Sequence, residues 1–253
     1  MNALGLLVNF LFSSCSQFSI VTYNIHGLPM IITGDNTYNR VNEIGMYLEN
    51  LNPDVIHIQE DWTEYGHKMF TDPLGDEYIS NVHFDKKLHE YSIFGSGLFS
   101  SSKFYSEEHQ EEIYSERYGY DDVWASKGFI VQRLSVGNHI VDFYNTHMDA
   151  QNKKGDQKAR KANAEQLVSF INEYSADFPI IVAGDTNLKH SSGLDMETYE
   201  FILSEGNLTD VSNDSSIDKI LYSNTESLNF ISTEILPIEL SDHDAIKVTF
   251  ELC

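Results

Sequence analysis

Apolar positions along the chain switch between a period of about two and a period of about 3.6, and the switches mark its elements. Phe18, Ile20 and Val21 lie in a strand-like run over 18–23 that ends at the turn Gly27-Leu28-Pro29. Val41, Ile44, Tyr47, Leu48 and Leu51 fall on one face of a helix over 40–51. Asn52-Pro53 stops that helix, and residues 54–59 read as the next strand. Residues 96–100 form another. The segments 129–134 and 139–146 alternate around Gly137-Asn138, a hairpin signal. A helix is expected over 156–174, with Ala159, Asn163, Leu167, Phe170, Ile171 and Tyr174 on one side. A short buried strand at 179–183 and a helix at 196–204 follow. Strands at 217–222, 228–233 and 245–252 close the chain.

Strands outnumber helices, hairpins are present, and the helices fall between strands. The pattern predicts an α+β fold with two packed sheets flanked by helices. No internal repeat and no long linker interrupts it, so residues 16–253 are expected to form one domain.

Polar residues gather where these strands end. Asn24 follows the first strand and Glu60 the second; His147 follows the hairpin; Asp185 and Asn187 follow the buried strand; Asp242 and His243 precede the last. Carboxylates, amides and imidazoles gathered at one rim suit metal-assisted hydrolysis. Oxygen donors without placed thiolates suit Mg²⁺, with Mn²⁺ as its substitute. A phosphodiester is an anion that repels nucleophiles. Its hydrolysis needs metal charge and protonated donors on the phosphoryl oxygens, and a histidine held by a carboxylate to take a proton from water.

Charge narrows the substrate. With 39 Asp and Glu against 16 Lys and Arg, the formal net charge is −23. Duplex binding rests on Lys and Arg displacing counterions, so nucleic acid is disfavoured as the main partner. Five of the sixteen basic residues, Lys153, Lys154, Lys158, Arg160 and Lys161, concentrate after His147. Such a group attracts an anionic headgroup or simply forms a solvated helix start.

At the N-terminus, residues 3–12 are apolar apart from Gly5 and Asn9. The stretch is too short to span a bilayer and has the length of a signal-peptide core. Leu11-Phe12-Ser13-Ser14-Cys15 also resembles a loose bacterial lipobox. Residues 1–15 are therefore expected to be a secretion or lipoprotein signal, and the protein to be secreted or lipid-anchored to the cell envelope. Cys15 would carry lipid, be removed, or pair with Cys253.

The ordered set Tyr23-Asn24-Ile25, Gln59-Glu60, Asn145-Thr146-His147, Gly184-Asp185-Thr186-Asn187, Ile217-Asp218-Lys219-Ile220 and Ser241-Asp242-His243 resembles the endonuclease/exonuclease/phosphatase superfamily. The resemblance runs from about Phe18 to the C-terminus. It implies a DNase-like four-layer α/β/β/α sandwich of mixed and antiparallel sheets. It further implies Glu60 as main metal ligand, with Asn24 beside it and Asp242 near the metal. Asp185 and Asn187 would orient the attacking water and a phosphoryl oxygen. His243 would be the general base, Asp218 its partner, and His147 a donor to phosphate oxygens.

Within the superfamily the chain is most similar to sphingomyelinases. The segment from Thr22 to Pro29 looks like their opening, and Lys127-Gly128 stands before the hairpin as theirs does, with Asp122 as the preceding acid. Lys127 would bring a cation to the phosphate. Thr186 departs from the bulky apolar residue usual there. The segment 104–124 mixes aromatics with acids, and Tyr118 and Tyr120 are candidates for a choline group; the same segment also reads as an acidic loop packed on the domain. The expected reaction is hydrolysis of sphingomyelin to ceramide and phosphocholine. Its alternatives are a secreted nuclease, a small-phosphoester or inositol-phosphate phosphatase, and a binding protein on this fold. The expected partner is a lipid headgroup, with peripheral membrane contact, and the expected state a monomer.

Overall fold

A computed structural model of the chain describes residues 15–84, 94–119, 125–212 and 216–253. The expected leader, residues 1–14, lies outside the described residues, and so do Tyr120 and Asp122.

Strand β1 (Ser16–Asn24) pairs in parallel with β2 (Val55–Gln59). Beyond β2 lie β3 (Ser80–Phe84) and β4 (Leu98–Ser102). On the other side of β1 lie β11 (Leu228–Ile235) and β12 (Ile246–Leu252). The six strands run in the order β11-β12-β1-β2-β4-β3. The second sheet holds β5 (Tyr105–Ile113), β6 (Gly128–Val136), β7 (His139–His147), β8 (Ile180–Asp185), β9 (Thr209–Asp210) and β10 (Asp218–Tyr222). Its order is β5-β6-β7-β8-β10-β9. Among the described residues the helices are α1 (Met30–Thr33), α2 (Thr37–Leu51), α3 (Glu64–Thr71), α4 (Lys154–Tyr174) and α5 (Gly193–Glu205).

Alternation along each strand divides the core into layers. Ile20 and Val55 face inward to meet Phe143, Ile181 and Ile220 of the other sheet. Their neighbours Val21 and Ile56 face outward onto Val41, Ile44 and Leu48 of α2. Across the molecule, Val131 and Val182 turn outward to Leu167, Val168 and Ile171 of α4. Both faces of both central sheets are thus covered, which gives the expected helix–sheet–sheet–helix stack.

One polar bridge crosses the apolar seam between the sheets. Asn145 on β7 donates to the Ile58 carbonyl at 3.0 Å and the Phe99 carbonyl at 2.9 Å, and accepts from Gln59 Nε2 at 2.8 Å. It is fully buried. Because Gln59 is the residue before Glu60, this bridge sets the height of the two sheets at the rim.

Two features differ from the sequence expectation, and one choice left open there is decided. Helices α1 and α3 and strands β3, β5 and β9 appear in addition. Residues 105–113, in the segment read as an acidic loop, form edge strand β5 beside β6. Glu is a poor strand former, which hid it, yet exposed Glu107 and Glu108 suit an edge by resisting further pairing. Finally, Cys15 and Cys253 form a disulfide beside the Ser16–Leu252 pair of β1 and β12. Of the fates open to Cys15, this one occupies the sulfur that a lipid would need. Among the described residues no helix is long and apolar enough to cross a membrane.

Removing the bridge should cost stability rather than fold. Asn145→Ala removes the donor to two buried carbonyls and leaves Gln59 Nε2 only its bond to Thr22 Oγ1, and is expected to lower unfolding free energy by about 2–4 kcal/mol. Urea unfolding should show a lower midpoint with an unchanged slope; a midpoint equal to wild type contradicts the bridge.

Candidate active site

Sheet register delivers the polar residues to one rim. In the parallel pair β1–β2, Asn24 stands beside Gln59; in the parallel pair β7–β8, His147 stands beside Asp185. Antiparallel β10 begins at Asp218, directly opposite Asp185. Two of the residues need left-handed backbone, Glu60 at φ 64° and Asn187 at φ 54°. Such positions cost on the order of 1–3 kcal/mol and persist where surroundings hold them. Gly27 is one such hold. Its N–H donates to the Glu60 carbonyl at 3.0 Å, and any β-carbon at Gly27 would come within 2.4 Å of that oxygen.

Two carboxylates meet at Asn24. Its Nδ2 donates to Glu60 Oε1 and to Asp185 Oδ2, each at 3.1 Å, while its Oδ1 accepts from the His26 N–H at 3.0 Å. His147 Nε2 lies 3.3 Å from Asp185 Oδ2 and 4.0 Å from Glu60 Oε1. Lys127 Nζ approaches the same imidazole nitrogen at 2.8 Å. On the opposite side His243 Nδ1 is 2.8 Å from Asp218 Oδ2, leaving Nε2 directed at Asp185 and Asn24 at 3.9 and 3.4 Å.

Charge explains the acidities. Burial alone would raise the Glu60 carboxyl, but His147, Lys127 and the Asn24 hydrogen bond outweigh it and hold it below the usual range. Burial opposes ionisation of Asp185 too; its hydrogen bond and charge interaction with His147, then His243 and Lys127, pull it well down. Burial pushes Asp218 up to about 6 against the pull of His243. Burial would lower His243, yet the hydrogen bond and charge of Asp218, with Asp185 and Asp242, raise it to about 10.

The residues fit a hard divalent cation. Glu60 and Asp185 are two ionised carboxylates converging on one amide, and oxygen donors of this kind suit such an ion. Asn24 adds an amide whose oxygen or nitrogen end can face them. Asp185, Asp218 and His243 also form a group of ligand atoms within 4.8 Å of one another. Asp61, His67 and His83 form a second such group. There, however, the two imidazoles stack face to face at 3.9 Å and 3°. Parallel rings cannot both aim a lone pair at one ion, so this group reads as a buttress: Asp61 holds His67 at 2.5 Å directly after Glu60.

A cleft of about 360 Å³ opens onto this cluster, lined by Glu60, Lys127, Leu28, Ile32, Trp62 and Phe94 among others. The family model described as Endonuclease/Exonuclease/phosphatase family 2 matches residues 86–214. The chain belongs to the endonuclease/exonuclease/phosphatase family. Among curated relatives it is similar to a sphingomyelinase of Mycobacterium tuberculosis, 26% identical over 179 residues that cover 69% of this chain and 35% of that protein. Human sphingomyelin phosphodiesterase 2 is 26% identical over 181 residues, covering 68% of this chain and 41% of that one. The chain thus matches less than half the length of these relatives. A mutant Staphylococcus aureus beta toxin, solved with bound magnesium ions, superposes with a TM-score of 0.79 at 16% identity, covering 92% of this chain and 99% of that chain. At that identity the likeness is one of fold.

The structure brings Asn24, Glu60, Lys127, His147, Asp185, Asp218 and His243 of this family member into one cluster. Asn187 joins its edge, with its N–H on Asp185 Oδ1 at 2.9 Å and its side chain on the Met148 carbonyl at 3.2 Å. Asp242, expected near the metal, instead faces His26 at 3.2 Å on the cleft wall, with its side chain 64% exposed. Tyr118, expected to meet choline, lines a different cavity, with Glu116, Arg117, Lys154 and Lys158.

Three supporting residues went unread in the sequence. Trp62 Nε1 donates to Glu60 Oε2 at 3.3 Å, and its ring lies over Gly97, where a β-carbon would come within 2.6 Å. An aromatic two positions after the strand-end Glu was the signal available. Arg40 ties the rim together by donating to the carbonyls of Ile25, His26 and Leu240. Arg160, grouped by sequence with the surface lysines, is fully buried; it pairs with Asp195 and donates to the carbonyls of Asp149, Ala150 and Gln151.

The His243–Asp218 pair makes a pH prediction. His243 is raised from 6.5 to about 10, so the folded chain holds this proton more tightly than the unfolded chain. That contribution to stability is full below pH 6.5 and fades as pH rises toward 10. In EDTA, NMR titration of the His243 ring should show it charged at neutral pH. Asp218→Asn should lower its midpoint by more than about one unit, whereas an unmoved midpoint contradicts the pairing.

Proposed function

We propose that the chain is a Mg²⁺-dependent phosphodiesterase that hydrolyses sphingomyelin to ceramide and phosphocholine by in-line attack of water. One observation carries the reading: two carboxylates held ionised, an adjacent lysine and imidazole, and a second imidazole held by a carboxylate stand together at one cleft. Glu60, Asp185 and Asn24 are the residues that would hold the ion. When bound, Mg²⁺ supplies positive charge for a phosphoryl oxygen and for the acidity of water, and lowers the pKa of imidazoles beside it.

The chain's own groups divide the remaining work. Lys127 Nζ, 2.8 Å from His147 Nε2, brings N–H donors to the phosphoryl oxygens, with the His147 imidazole beside it. His243 takes the proton from the attacking water at Nε2, while Asp218 fixes the ring at Nδ1. Asn187 and Asp185 orient the water and a phosphoryl oxygen. Trp62, Phe94, Leu28 and Ile32 give the cleft an apolar wall that suits a lipid better than a polynucleotide. The −23 charge points the same way. The disulfide between Cys15 and Cys253 supports export, because such bonds persist in oxidising compartments.

Purified protein with Mg²⁺ should release phosphocholine from sphingomyelin and leave plasmid DNA and inositol phosphates intact. His243→Ala is expected to lower turnover by about 10²–10⁴-fold, and Glu60→Ala by at least about a hundredfold with loss of Mg²⁺ binding. Cleavage of DNA without lipid hydrolysis, abolished by the same substitutions, would reverse the assignment.

A further inference from the structure

Two surfaces that the chemistry leaves unused adjoin, along the chain, residues that line the cleft. The first is α1, the single turn Met30–Thr33, which has no buried residue. Met30, Ile31 and Ile32 are 41%, 94% and 53% exposed. The turn is closed rather than frayed: Ile32 N–H and Gly34 N–H donate to the Pro29 and Met30 carbonyls at 2.8 Å each. Gly34 ends it at φ 73°. Thr33 and Thr37 both donate to Asp35 at 2.6 Å, which anchors the turn to the start of α2. Ile32 also lines the cleft beside Leu28 and Trp62, so the apolar tip is continuous with the cleft wall.

The second surface follows from Ala150 and Gln151, which line the same cleft. Immediately after them, exposed Lys153, Lys154 and Lys158 stand on the first turns of α4. Lys154, Lys158 and Arg117 line a cavity of about 410 Å³ with Tyr118, whose ring packs on the Gly155 backbone. Glu116 is the acid in that lining, and Asp156 is buried with its carboxylate turned to the Lys153 N–H at 2.5 Å. The positive end of the α4 dipole adds to the field. In a chain of net charge −23 this concentration of cations runs against the general surface.

We propose that these two surfaces dock the protein on a phospholipid bilayer that carries anionic lipid. The α1 tip enters the apolar layer, and Lys153, Lys154 and Lys158 meet the lipid phosphates. The cleft mouth then opens onto the membrane. This rests on the reading of the site as a lipid phosphodiesterase. A bilayer fits better than a protein partner because a three-residue convex tip is far smaller than the roughly 800 Å² per side of a stable protein interface. A few inserted apolar side chains combined with basic residues are sufficient for interfacial membrane binding.

The test measures sedimentation of the full chain with vesicles in EDTA, so that binding is read without catalysis. Vesicles are phosphatidylcholine alone or phosphatidylcholine mixed with phosphatidylglycerol. Wild type should bind the mixed vesicles more tightly, and added salt should weaken that binding. Ile31→Ser should lower the partition on both vesicle types by at least about tenfold. Lys154→Glu combined with Lys158→Glu should lower it by at least about tenfold on mixed vesicles only. With Mg²⁺, both variants should cleave a water-soluble aryl phosphodiester as wild type does but lose turnover on vesicles. Unchanged partition in either variant overturns the docking, as does an Ile31-dependent dimer in sedimentation velocity without vesicle binding. Absence of turnover in a protein that still binds vesicles counts against the activity and not against the docking.

Discussion

The structure depends on keeping two like charges together. The Asn24 amide donates to Glu60, which follows β2 of one sheet, and to Asp185, which ends β8 of the other, at 3.1 Å each. Unit charges about 4 Å apart repel by roughly 4 kcal/mol at the effective dielectric of a protein surface region. Nothing in the apolar core would hold them so. They stay ionised because His147 and Lys127 stand against both and pull both acidities down, with His243 adding to the pull on Asp185. The same arrangement of donors and charges is what a divalent cation and a phosphoryl group require.

Placing those groups is the work of the sheets. Parallel pairing within β1–β2 and β7–β8 sends their C-terminal ends to one rim, and the Asn145–Gln59 bridge fixes one sheet against the other. Left-handed backbone at Glu60 and Asn187 then turns the side chains into the cleft. The cost of that backbone is carried by the core, where both faces of each sheet are sealed by apolar residues. Local rules are broken at the functional rim and obeyed elsewhere, as expected when a rigid scaffold bears a strained site.

Much of this was legible in the sequence because the signals were local. Strand ends, Gly/Pro turns and helical spacing located the elements, and the polar residues after each strand located the rim. What escaped depends on contacts between distant segments. Arg40 sits among apolar helix positions, and nothing nearby shows that it reaches Leu240. Arg160 shares its neighbourhood with four lysines but has Asp195 as its buried partner, so composition grouped it with the surface. Strand β5 was hidden because its partner β6 supplies the pairing that its glutamates do not encode. Tyr118 was read by its chemistry alone, and which cavity it lines depends on α4, which lies more than thirty residues further on.

The central proposal is that a divalent ion is held between the two sheets by Glu60 and its neighbours. Anomalous diffraction from crystals soaked in Mn²⁺ locates such an ion directly. The account predicts the strongest peak in bonding contact with the Glu60 carboxylate, beside Asp185 and Asn24, and its loss in Glu60→Gln. A strongest peak at Asp61, His67 and His83, with Glu60 left without metal, would contradict it.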